Sequence, residues 1–79
     1  VPVKRPTLEQ LLGDAIRERR ESLNLSQEEL AFECGLHRTY ISQLERGLKS
    51  PTVRTLLLIA DALKIAPDEL LRAAREGKQ

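Results

Sequence analysis

Tryptophan and methionine are missing from this 79-residue chain, and phenylalanine, tyrosine and cysteine occur once each. A core without large rings has to be assembled from Leu, Ile, Val and Ala. With no regular alternation of apolar and polar positions, that palette favours helices over strands. The lone thiol, Cys34, has no partner for an internal disulfide, and a single histidine gives no Cys/His spacing that would hold zinc. Cys34 is therefore read as a small apolar residue of a reduced, cytoplasmic protein. No apolar run approaches the ~20 residues that cross a bilayer, and no signal-peptide pattern is visible. Metal-ligand spacing, a glycine-rich phosphate loop and paired carboxylates placed in a pocket are missing too. The expectation is a protein that is not an enzyme and takes no metal, cofactor, small-molecule ligand or membrane.

What is present is enough for one small domain with a modest core. The formal net charge of +1 says little by itself, but the charge is unevenly spread. Between Asn24 and Cys34 the ionisable residues are Glu28, Glu29 and Glu33, whereas between Gly35 and Arg54 four basic residues (Arg38, Arg46, Lys49, Arg54) face Glu45 alone. A locally basic stretch in a nearly neutral chain is the footprint expected of a phosphate-binding surface.

Start and stop signals divide the chain into five short helices. Residues 1–6, VPVKRP, hold two prolines and two cations and read as a flexible basic arm. Thr7 caps a first helix reaching about Leu23, with Leu8, Leu11, Leu12, Ala15, Ile16 and Leu23 on one stripe. Gly13 interrupts it at a cost of about 1 kcal/mol relative to Ala, either tolerated or marking a close helix contact. Ser26 and Glu29 form a capping box for the second helix, stapled by Leu25 and Leu30 and closed by Gly35. The third helix spans about Arg38 to Arg46. Tyr40, Ile41 and Leu44 make its apolar side, and Arg38, Thr39, Ser42, Gln43 and Arg46 its polar side. Ser50 is expected to cap a fourth helix with Pro51 at its first position. Its apolar set is Val53, Leu56, Leu57, Ala60 and Leu63, with Leu58, Ile59 and Ala62 as a surplus that suggests a second buried contact. Pro67 opens a fifth helix with Asp68 and Glu69 in its first turn, where the macrodipole favours them. Residues 7–75 are the expected folded domain and 76–79 a frayed tail. Phe32 is read as core or interface packing.

The informative segment is Gln27 to Arg46. Two short helices joined by a three- or four-residue turn containing glycine make a helix-turn-helix. Ala31 stands where the helices cross, Gly35 permits the positive φ of the turn, and Leu30, Cys34, Leu36, Ile41 and Leu44 close the interior. The second helix of such a unit can enter the major groove with its N-terminal residues on base edges.

The run LSQEELA, then Gly35, then YISQLERG resembles the Cro/cI-type (XRE-like) helix-turn-helix of phage repressors and many bacterial regulators, over roughly Ile16 to Leu71. The stretch HRTYIS is also similar to the recognition helix of restriction-modification controller proteins. The resemblance implies an all-α, five-helix, lambda-repressor-like fold and a sequence-specific transcriptional regulator of double-stranded DNA. By position it implies base contacts from Arg38, Thr39, Ser42 and Gln43. It implies phosphate contacts from Gln27, Arg46 and Lys49, and a partly buried ion pair between Arg20 and Glu45. Tyr40 is either a contact to backbone or sugar or a core-edge aromatic. His37 departs from the Ser, Thr or Asp usual at that cap, so the cap is weaker, and its ring is free for phosphate. The chemistry is compatible: arginine grips guanine O6 and N7 with two hydrogen bonds, glutamine pairs with adenine, and threonine packs or bonds to thymine.

One recognition helix touches few base pairs, so a homodimer on a pseudo-palindromic operator is expected, with half-sites about one helical turn apart. Leu58, Ile65 and Leu71 are candidate interface residues. The competing reading is an antitoxin-like protein-interaction module that also binds DNA.

Overall fold

The computed structural model describes residues 4–77 and contains five helices among them: α1 (Leu8–Ser22), α2 (Gln27–Cys34), α3 (Arg38–Glu45), α4 (Val53–Ala62) and α5 (Pro67–Glu76). No strand occurs among the described residues. Residues Val1–Val3 of the expected arm and Lys78–Gln79 of the expected tail lie outside them. Lys4–Pro6 are exposed and non-helical, and α5 reaches Glu76, one residue into the segment expected to fray.

Local hydrogen bonding explains where the helices start. Thr7 Oγ1 accepts the Gln10 amide at 3.0 Å while Gln10 Oε1 accepts the Thr7 amide at 2.9 Å. Ser26 and Glu29 make the same reciprocal pair at 3.0 and 2.8 Å, and each pair satisfies two amides that a helix start leaves orphaned. At α5 only half of this box exists. The Glu69 carboxylate accepts the Ala66 amide at 3.3 Å, and alanine offers no acceptor in return. The fourth helix starts later than expected. Ser50 is not its cap: Thr52 is, accepting the Thr55 amide at 3.1 Å and bonding the Thr55 hydroxyl at 3.1 Å. Two hydroxyl residues competed for that role, and the one with a second hydroxyl three residues on holds the turn more firmly.

The core is aliphatic. Ile16, Leu30, Ile41, Leu44, Ile59, Leu63 and Leu70 are fully buried, and Ala31, Cys34, Ala60 and Ala74 fill between them. On α4 the buried phase is Leu56–Ile59–Ala60–Leu63, the i, i+3, i+4, i+7 stripe. The expected phase is corrected accordingly: Ile59 belongs to the core, while Val53, at 74% exposure, and Leu57 face outward. Phe32 is not a core residue either, being 85% exposed. The inward side of α2 is Leu30, Ala31 and Cys34, and Phe32 projects away from it. Cys34 is buried, its Sγ donates to the Leu58 carbonyl at 3.8 Å, and desolvation, with Glu33 nearby, pushes its thiol up to about 11. The group is thus a neutral packing element between α2 and α4.

Gly13 marks a close contact, not a tolerated defect. A Cβ there would press on the Leu44 carbonyl oxygen and lie 2.6 Å from that of Glu45, so α1 and α3 touch backbone to side-chain-free backbone. Gly13→Ala must push the helices apart. The expected loss is about 1–3 kcal/mol, a drop of roughly 4–20 °C in melting temperature for a domain of this size, read by circular dichroism. An unchanged melt would mean that α1 and α3 slide freely past each other.

Candidate nucleic-acid interface

The third helix has two chemically distinct sides. Ile41, Leu44 and Glu45 are buried, and Tyr40 rests half-buried against the core. Arg38, Thr39 and Arg46 are exposed, with Ser42 and Gln43 half-exposed between them. The helical repeat puts Arg38, Ser42 and Arg46 along one row and Thr39, Gln43 and Arg46 along its neighbour. All of the expected polar side chains of this helix therefore share one surface. Arg46 Nε reaches back to the Ser42 carbonyl at 3.4 Å.

The turn that aims this helix runs through Gly35, whose φ of +69° is the left-handed conformation expected there. His37 occupies the N-cap in extended conformation and makes no side-chain cap bond. The His37 carbonyl, not its ring, serves the first turn of α3, accepting the Tyr40 amide at 3.0 Å and the Ile41 amide at 3.1 Å. Lys49 is exposed in the α3–α4 connection, as expected. Arg17, which spacing alone could not single out, lines the same shallow depression as Arg46 together with Gln10 and Asp14. It adds a cation from α1 beside the end of α3, loosely paired with Asp14 at 3.8 Å.

Behind the polar face stands a buried polar junction. Arg20 Nε and Nη2 donate to the two Glu45 carboxylate oxygens at 2.6 and 3.0 Å, and Arg20 Nη1 donates to the Leu25 carbonyl at 2.8 Å. The fork matches the carboxylate in the bidentate geometry that only arginine provides. The Glu45 bond holds the Arg20 pKa above its usual value, against the opposing effect of burial. Gln27, half-buried at the start of α2, donates one amide proton to Glu45 Oε1 at 3.0 Å. The structure thus gives Gln27 a place in the internal network that was not among the expectations.

A protein-family model described as helix-turn-helix matches residues 16–70. The chain belongs to the helix-turn-helix family. The control protein C.BamHI of Bacillus amyloliquefaciens is 48% identical over 62 residues, covering 77% of this chain and 76% of that protein. Among solved structures, the restriction-modification controller protein C.AhdI from Aeromonas hydrophila superposes with a TM-score of 0.77 at 42% identity, over 78% of this chain and 94% of its own. The clp gene regulator ClgR of C. glutamicum superposes with a TM-score of 0.92 at 28% identity, over 99% and 100%. Within this helix-turn-helix protein, the match takes in α2, the turn, α3 and the Arg20–Glu45 junction behind them. No helix among the described residues is long and apolar enough to cross a membrane.

Removing one partner of the junction strands the other. Glu45→Ala leaves Arg20 charged and buried, at a cost of about 3–5 kcal/mol, whereas replacing both, as in Arg20→Met with Glu45→Leu, restores most of that loss. Urea unfolding of the wild type and the two variants measures it. A single mutant as stable as the wild type would show that water reaches Arg20 in the native state.

Proposed function

We propose that this helix-turn-helix regulator binds a pseudo-palindromic operator in double-stranded DNA as a homodimer, each copy laying α3 in a major groove. The observation that carries the reading is the division of α3. Its inner side is tied to the core by Ile41, Leu44 and Glu45, and its outer side collects Arg38, Thr39, Ser42 and Gln43. Those four read base edges, with Arg38 on guanine and Gln43 on adenine as the bidentate pairs. Gln27, His37, Tyr40, Arg46 and Lys49 hold phosphates on either side and fix register without reading sequence. Leu58 and Leu71, exposed on α4 and α5, supply the dimer contact with Leu57 beside them, and Ile65 adds the edge that the core leaves open. The protein works in the cytoplasm as a binding protein, not a catalyst. Its likeness to a restriction-modification controller protein, and to a relative named as a control protein, supports a circuit of that kind as its setting.

Arg38 is exposed and makes no contact that the fold needs, so Arg38→Ala melts like the wild type. It loses affinity for the operator by about thirtyfold to ten-thousandfold, the equivalent of two bidentate base contacts, one from each copy, of roughly 1–3 kcal/mol apiece. Titration at fixed salt checks this, and wild-type discrimination between operator and random DNA would take Arg38 out of the readout.

Salt dependence tests the phosphate contacts. With Arg46 and Lys49 from each of two copies neutralising phosphates, log affinity falls against log salt with a slope of about −4. A slope near zero contradicts a DNA partner altogether.

A further inference from the structure

Two consecutive arginines of α1 grip opposite parts of the molecule. Arg20 holds the end of the recognition helix through Glu45. Arg19 turns the other way: its Nε donates to the Leu63 carbonyl and its Nη2 to the Lys64 carbonyl, both at 2.8 Å. Those carbonyls close α4, where Lys64 takes the left-handed conformation (φ +56°) that sends the chain toward α5. The Leu63 carbonyl lies at the C-cap, where a helix carries partial negative charge and unsatisfied acceptors, and the Lys64 carbonyl follows it in the turn, so a half-buried guanidinium that bonds both is a strong, directional tie. The helix α1 is thus a bar, with the DNA-reading helix fastened to one sector and the α4–α5 corner fastened to the next.

We infer that Arg19 is a positioning residue that sets which separation of half-sites the protein accepts. The inference rests on the proposed dimer through α4 and α5. If those helices carry the two-fold contact, the distance and angle between the two copies of α3 are transmitted through α1. Arg19 is then a polar fixture between α1 and the corner that joins α4, which carries Leu58, to α5, which carries Leu71. Apolar packing in the same region resists separation but not sliding. The two hydrogen bonds fix direction.

The test uses a set of operators whose half-sites differ in separation by single base pairs, each step turning one half-site by about 34–36° relative to the other. Binding of wild type, Arg19→Ala and Arg19→Lys is titrated, with sedimentation and thermal melts alongside. The wild type is expected to favour one separation. Both variants should remain dimers and keep the wild-type ranking of base changes within a half-site. Their penalty for one inserted base pair should shrink by about tenfold, the scale of one charge-assisted hydrogen bond. Lysine keeps the charge at the end of α4 but not the fork. A spacing defect in Arg19→Lys at a near-wild-type melting temperature therefore marks positioning as distinct from general loosening. Dimeric variants that both retain the full wild-type penalty overturn the role of Arg19 and leave the dimer standing. A wild type that is monomeric both free and on its operator overturns the dimer, and the role of Arg19 with it.

Discussion

The Glu45 carboxylate is 2% exposed and accepts three hydrogen bonds, two from Arg20 and one from Gln27, while Arg20 spends a further donor on the Leu25 carbonyl. Four parts of the chain meet there: α1, the α1–α2 connection, the start of α2 and the end of α3. Eight residues are too few for a stable isolated helix in water, so α3 exists and points where it does because of what it rests on. The aliphatic contacts of Ile41 and Leu44 choose which side of it faces the core, but they tolerate sliding and small rotations, since hydrophobic attraction has no direction. A bidentate ion pair has one. Buried pairs of this kind contribute little net stability compared with well-packed apolar residues. The value of this one lies in fixing the height and exact rotation of α3 on the side that Ile41 and Leu44 already turn inward.

The close approach at Gly13 belongs to the same constraint. Arg20 lies seven residues on, two turns along the same side of α1, so the contact with the Leu44 and Glu45 carbonyls and the ion pair act at successive levels of one seam. A larger residue at the first level would lift α1 and pull Arg20 away from Glu45 at the second. The conformationally costly glycine inside a helix is thus the condition under which a long, branched side chain reaches its partner.

What could be read from the chain alone follows from how local the determining forces are. The caps at Thr7 and Ser26 were legible because donor and acceptor lie three residues apart, and the Gly35 turn because the backbone there requires positive φ. The α4 cap was misplaced because Ser50 and Thr52 are both competent locally, and only the Thr52–Thr55 contact separates them. The phase of α4 was misread because LLLIA is apolar all round. Nothing in such a run says which residues face α2 and α5 until those helices are in place. Of the two readings of Phe32, core or interface, its 85% exposure removes the first, because chemistry alone does not say to which side of α2 it turns. The Arg20–Glu45 pair was reached by resemblance across 25 residues of separation, not by any local rule. Arg19 was invisible because its acceptors are backbone carbonyls, which every residue has.

The electrostatics of the chain bear on how such a site would discriminate. A net charge of +1, with Glu28, Glu29 and Glu33 on α2 beside the reading helix, gives only a weak general attraction to phosphate. That attraction is sequence-independent and strengthens binding to random DNA as much as to an operator. Keeping it small leaves the ratio of specific to random binding to the base-edge contacts, where each mismatch costs about 1–3 kcal/mol. On the proposed reading, the four outward side chains of one α3 make few such contacts, and a second copy doubles them. On the proposed dimer, occupancy of the operator then depends on the square of monomer concentration while the monomer is in excess. A protein weakly drawn to DNA in general would stay off its operator until it had accumulated, and the change from empty to filled would be steeper than a single helix-turn-helix could produce.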